Sequence, residues 1–138
     1  MEVVVSGGVT GLTQEILAGK HPLTADEPVP AGGTVAGPSP YEFLLAALGS
    51  CTSMTIAMYA RRKSWPLVGV TVRLRHFKGH AQDCENCETE AKLDRIERDI
   101  QLDGGLTEQQ SQKLAEIADK CPVHRTLASG IEIRTRLL

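Results

Sequence analysis

The chain has 138 residues, enough for about one domain, and with 41% hydrophobic and 23% charged residues it has the makeup of an ordinary globular protein. Its net charge is −2, and its densest basic run, Arg61-Arg62-Lys63, falls where a helix should end and the helix dipole favours cations, which argues against a nucleic-acid surface. No stretch reaches the ~18–20 apolar residues of a membrane span, and the Met1-Glu2-Val3-Val4-Val5 start lacks the pattern of a signal peptide, so a cytoplasmic protein with no membrane partner is expected.

Taken in order, residues 2–6 are short and Val-rich and predict a strand, closed by Gly7-Gly8. Residues 12–18 can pair with it as a hairpin. Residues 21–40, with Pro22, Pro28, Pro30, Gly32, Gly33, Gly37, Pro38 and Pro40, predict a long loop. A helix is expected from Pro40 to about Lys63, with Ser39 as N-cap, a helix-compatible proline at the first position and Glu42 completing a capping box. Phe43, Leu44, Ala47, Leu48, Cys51, Met54, Thr55 and Met58 recur on it at three- and four-residue spacing. Such a rod would be roughly 36 Å long, apolar on several sides and in need of cover.

Trp65-Pro66 should end the helix, with Trp65 packed in the core. Residues 68–77 alternate, with Val70, Val72 and Leu74 on one face and Thr71, Arg73 and Arg75 on the other, which predicts a half-buried strand. Residues 95–103 predict a second, with Ile96, Ile100 and Leu102 inward. Thr107-Glu108-Gln109-Gln110 is a capping box that opens a helix to about Lys120, its core face formed by Leu114, Ile117 and Ala118. Cys121-Pro122 restarts a short helix through Leu127, and residues 131–137 alternate as a last strand. The expected class is α+β with mostly antiparallel sheet around a long central helix, one domain over 1–138. Covering so apolar a helix with so few strands predicts a homodimer.

Reducing conditions in the cytoplasm keep thiols free, so the four cysteines point to catalysis, metal binding or redox chemistry rather than structural bridges. Cys51 lies on the apolar face of the long helix, where spacing alone favours a small core residue; Ser50, Thr52, Ser53 and Thr55 weaken that reading by surrounding it with hydroxyls that could serve a thiolate. Cys121 precedes Pro122 at a helix start, where free N–H groups and the dipole favour the thiolate, with His124 and Arg125 within one turn. Its alternative is a plain N-cap. Spacing alone does not show whether the two cysteines meet.

The segment Gly37-Pro38-Ser39-Pro40-Tyr41-Glu42-Phe43-Leu44-Leu45-Ala46-Ala47-Leu48-Gly49-Ser50-Cys51-Thr52 resembles the central-helix motif of the OsmC/Ohr family, the osmotically inducible protein C and organic hydroperoxide resistance proteins. Ala118-Asp119-Lys120-Cys121-Pro122-Val123-His124-Arg125 resembles the family's second-cysteine motif. The resemblance runs over nearly the whole chain. It implies an intertwined α+β homodimer and a thiol peroxidase acting on organic hydroperoxides, with no cofactor required. In that chemistry Cys51 attacks the peroxide to give a sulfenic acid, Cys121 condenses with it to a disulfide, and a dithiol reductant resets the pair. The chain departs from the pattern in two places. The family's peroxidases use an N-terminal arginine held by a glutamate near the start of the central helix. Here no arginine precedes Arg61, leaving Lys20 and His21 as the cations of that region. Tyr41 stands at the glutamate position, with Glu42 one residue along.

A second group lies in the connection between the two later strands. His76, His80, Cys84 and Cys87 combine a C-x-x-C pair with two histidines at a spacing zinc accepts. A zinc site, a redox dithiol feeding Cys51 and Cys121, and an ordinary polar loop all fit. The acidic flank of Asp83, Glu85, Glu88 and Glu90 disfavours thiolates there.

Overall fold

The computed structural model describes residues 1–79 and 94–138. His80, Cys84 and Cys87 lie outside the described residues. The chain forms two compact units, Met1–Ala46 and Ala47–Leu138.

In the first unit, β1 (Val3–Gly7), β2 (Gln14–Ala18) and β3 (His21–Ala25) form an antiparallel sheet in the order β1-β2-β3. The hairpin of β1 and β2 is as expected, with Val3 opposite Ala18 and Gly7 opposite Gln14. β3 corrects the expectation of a loop over 21–40. Ala18 pairs with His21, so Gly19 and Lys20 make a two-residue turn, with Gly19 in the left-handed region that such turns use. Pro22 had argued against a strand, but β3 is at the sheet edge, where a missing N–H is tolerated. A short 3-10 turn, Val29–Ala31, follows.

α1 spans Pro40–Arg62. Its capping box forms as expected: the Ser39 N–H donates to Glu42 Oε2 at 2.7 Å, and the Glu42 N–H reaches Ser39 Oγ at 3.4 Å. By length and composition alone it could cross a membrane. In the second unit, however, its buried residues Leu48, Gly49, Thr52, Ile56 and Ala60 turn toward the core. That stripe corrects the expected one: Met54 and Met58 are 63% and 68% exposed. Small residues decide the difference, because Gly49 lets Leu74 of the neighbouring strand come close against the helix backbone.

β4 (Leu67–Phe77) and β5 (Arg95–Gly104) pair antiparallel, with Val70 opposite Leu102 and Leu74 opposite Arg98. Val70, Val72 and Leu74 are half-buried, while Thr71, Arg73 and Arg75 are exposed, as the alternation requires. α2 (Glu108–Ala118) opens on the expected capping box between Thr107 and Gln110 and buries Leu114, Ile117 and Ala118. α3 covers Pro122–Ser129. Ile56, Ala60, Leu114 and Ala118 form the buried cluster of this unit, and Trp65, Val70, Ile100 and Leu102 pack against it. Trp65 meets Tyr59 edge-on at 5.5 Å between ring centres.

Residues 131–138 form no strand. A strand needs a neighbouring ladder, and among the described residues β4 and β5 pair with each other alone. Ile131, Ile133 and Leu137 are left 59%, 83% and 97% exposed.

Candidate active site

Cys51 sits at the middle of α1. Cys121 is the N-cap of α3, and the Pro122 that follows fixes the start of that helix. Both are free thiols, Cys51 half-buried and Cys121 fully buried. The fold brings the two together: Cys121 Sγ lies 4.0 Å from the hydroxyl of Thr52, the residue after Cys51, and the nearness of the two thiols raises Cys51 and lowers Cys121.

The start of α3 serves both sulfurs. The His124 N–H donates to Cys121 Sγ at 3.4 Å, and the Val123 N–H serves Cys51 and Cys121 alike. Unpaired N–H groups at a helix start are well placed to receive negative charge. Burial pushes the Cys51 thiol up, and the hydrogen bond and charge of Cys121 add to that rise against the Val123 N–H and the Thr55 hydroxyl. Burial opposes ionisation of Cys121 too. There it is overcome by hydrogen bonds from the His124 N–H, the Cys51 thiol, the Thr52 hydroxyl and the Val123 N–H, so the thiol lies below its ordinary range.

Arg98, on β5, supplies a cation that the sequence reading missed. Its side chain is 12% exposed. Nη1 donates to Thr52 Oγ1 at 2.9 Å and to the Ala118 carbonyl at 3.4 Å, while Nη2 pairs with Asp119 Oδ1 at 2.8 Å. Thr52 is fully buried, its Oγ1 4.0 Å from Cys121 Sγ and 2.7 Å from the Leu48 carbonyl. A signal was present in the sequence. Arg98 shares the parity of Ile96, Ile100 and Leu102, and a charge on an inward face needs a partner.

A hollow of about 380 Å³ opens beside this cluster, lined by Leu48, Ile96, Leu127 and Ala128 together with Asp94, Arg98 and His124. His124 also approaches Asp119, Nδ1 to Oδ1 being 3.9 Å. Arg125 is exposed on α3. The other expected supporting residues belong to the first unit. Lys20 lies in the β2–β3 turn, Tyr41 is 45% exposed, and Glu42 is occupied in the Ser39 capping box. Of the expected zinc ligands, only His76 is among the described residues. It faces inward on β4, its Nε2 2.9 Å from Asp94 Oδ2, and the pairing holds the Asp94 carboxyl below its usual range. No group of three or more metal-ligating side chains occurs among the described residues.

No curated protein sequence matches the chain. Solved structures match its fold over most of its length. An OsmC-like protein of Mycoplasma pneumoniae is 16% identical, with 92% of this chain and 86% of that one covered at a TM-score of 0.73. An organic hydroperoxide resistance protein OsmC of Legionella pneumophila is 19% identical, with 90% and 85% covered at 0.63. A Vibrio cholerae protein described as an organic hydroperoxide resistance protein, with captopril bound in one of its active sites, is 15% identical, with 91% and 83% covered at 0.62. The α+β fold with its long helix is thus an OsmC-like one. The model of the OsmC-like protein family matches residues 31–136, a span that takes in both cysteine segments and the strand carrying Arg98. By that match the chain belongs to the OsmC-like family.

Proposed function

We propose that this chain is a dithiol peroxidase acting on organic hydroperoxides in oxidative-stress defence, with Cys51 and Cys121 as its reacting pair. The observation that carries the proposal is that α1 and α3 bring two free thiols close enough to perturb each other's ionisation. Two sulfurs so placed can share one two-electron oxidation. The half-buried Cys51 attacks the terminal peroxide oxygen, the O–O bond breaks and an alcohol leaves. Cys121 then displaces water from the sulfenic acid to form a disulfide. A small dithiol reductant exchanges with that disulfide and restores the pair. The neighbours described as hydroperoxide resistance proteins support the substrate class.

The site takes no cofactor in this scheme. The whole chain acts as one domain, as a homodimer, in a cytoplasm that keeps both thiols reduced. Treatment with one equivalent of cumene hydroperoxide should remove two thiols per chain and leave an intramolecular Cys51–Cys121 bridge in the peptide map. Cys51→Ser should abolish peroxide consumption, and unchanged consumption in that variant would sink the proposal. Zinc at Cys84 and Cys87 is a separate question that elemental analysis of the purified protein answers.

The hollow lined by Leu48, Ile96, Arg98, His124 and Leu127 favours a second reading, a non-catalytic module that binds a small apolar or thiol-bearing ligand. Saturable binding of a small apolar thiol without peroxide turnover would select it; rapid turnover with a dithiol donor would exclude it.

A further inference from the structure

Cys51 and Cys121 stand on separate elements, and Arg98 of β5 ties those elements together beside both thiols. Nη1 donates to Thr52 Oγ1, one residue past Cys51, at 2.9 Å and to the Ala118 carbonyl at 3.4 Å. Its two hydrogens match those two acceptors. Nη2 pairs with Asp119 Oδ1 at 2.8 Å. The Thr52 hydroxyl gives its own hydrogen to the Leu48 carbonyl at 2.7 Å, so its oxygen is open to accept from the guanidinium. The Ala118 carbonyl also accepts the Cys121 N–H at 3.3 Å, so Arg98 and the backbone of Cys121 meet at one oxygen.

α2 ends at Ala118 and α3 starts from its cap Cys121, so only Asp119 and Lys120 lie between them. The course of this corner sets where the Cys121 sulfur points. Leu114 and Ile117 seat α2 in the core, but Asp119 and Lys120 are exposed and gain no such seat. The Arg98 side chain is 12% exposed, and a charge so enclosed needs partners. Those it finds belong to the two segments that carry the cysteines.

We propose that Arg98 is a positioning residue, a brace between α1 and the α2–α3 corner that holds Cys121 within closing reach of Cys51 and so sets how fast the pair closes to a disulfide. A planar fork meets several acceptors at once, which a lysine point charge does not. The role rests on the dithiol reading of the pair. In the closing step the Cys51 sulfenic acid loses its hydroxyl and Cys121 its hydrogen, as water, while the two sulfurs join. With the corner loosened, the sulfenic acid waits. A second hydroperoxide then gives it a terminal oxygen, leaving an alcohol and a Cys51 sulfinic acid that thiols do not reduce. The brace therefore guards the site as well as speeding it.

Closure can be timed without peroxide. The full chain carrying Cys84→Ser and Cys87→Ser keeps only the pair. One equivalent of methyl methanethiosulfonate converts one thiol to a methyl mixed disulfide, with methanesulfinate leaving. The other thiol then displaces methanethiol and closes the bridge. Acid quenching and intact mass measurement follow both steps. The parent should pass through the mixed disulfide quickly. Arg98→Met should slow closure about tenfold to a hundredfold, the loss expected for a misplacement of about 1 Å, and should spare the first step. Arg98→Lys should recover part of the rate. Asp119→Ala and Thr52→Val should each slow closure less than Arg98→Met and add nothing to it in double variants. A parent that keeps the mixed disulfide, or a folded Arg98→Met that closes at the parent rate, overturns the brace. So does a slowing that falls on both steps alike, which marks a site loosened as a whole. If Arg98→Met loses its far-ultraviolet dichroism, Asp119→Ala carries the test, and closure at the parent rate in that variant refutes the brace. With excess cumene hydroperoxide, Arg98→Met should collect Cys51 sulfinic acid where the parent collects disulfide. A parent that consumes no hydroperoxide removes the peroxidase proposal, and the closure rates still decide the brace.

Discussion

Asp26 is 2% exposed, and its two oxygens accept five hydrogen bonds, from the hydroxyls of Thr13 and Thr34 and the N–H groups of Glu27, Thr34 and Ala36. The Thr34 hydroxyl leads, followed by the Ala36 N–H, in holding this carboxyl far below its usual range. Both neighbours of Val35 donate to Asp26, and Val35 between them is forced to a φ of 58°, a region β-branched residues avoid. A carboxyl depressed by folding contributes stability that is complete above its unfolded pKa and is lost as pH falls through the folded one. Urea midpoints measured from neutral to acid pH should therefore show Asp26→Asn below the parent at neutral pH, with the gap closing as the acid limb is reached. A gap that stays constant with pH would assign the loss to packing alone. At this scale the sequence was partly legible. The short Cys121-Pro122-Val123-His124 stretch announced a thiol at a helix start. The meeting of Cys51 with Cys121 was beyond spacing and came only through the family resemblance, because contacts between distant residues follow from packing that no local pattern encodes. Arg98 was legible in principle, as the one charge on an otherwise apolar parity.

The helices were readable because their signals are local. Caps, a proline at the first turn and a periodic face all act within a few residues; the caps, the proline and the core face of α2 appear where the pattern put them, while the face of α1 is turned away from Met54 and Met58. Thr107→Ala removes the acceptor of the Gln110 N–H and should cost about 1 kcal/mol in chemical denaturation; a loss near zero would mean that the cap is replaced by solvent. β3 was hidden because its proline is tolerated only at a sheet edge, and edge position is a property of the assembled sheet. The same segment sets the role of Gly37. A Cβ there would meet the Thr24 carbonyl and the Ala25 N–H, backbone atoms that cannot turn aside. Gly37→Ala should lower stability by roughly 1–3 kcal/mol, and an unchanged urea midpoint would show that the 26–37 segment shifts freely.

At the scale of the whole molecule, apolar surface is plentiful on the outside. Val3, Val4 and Val5 of β1 are 54–55% exposed, Met54 and Met58 of α1 more so, and the alternating residues after α3 are open as well. The first unit buries little beyond Ala25 and Asp26, and a three-stranded sheet without a covered face is marginal. The homodimer proposed above would supply the missing cover. Light scattering should give twice the 14.9 kDa chain mass, and Met54→Asp with Met58→Asp should shift the protein toward single chains. A parent that runs as a monomer, or that partitions into detergent through α1, would count against the dimer.

The exposed methionine face has a further consequence, in mass action. When a second copy covers such a face, folding and association become one equilibrium, and the unfolded fraction depends on how much protein is present. The melting temperature should then climb with each tenfold rise in concentration. A cell that makes little of this protein would hold it nearer its unfolding threshold than a cell that makes much.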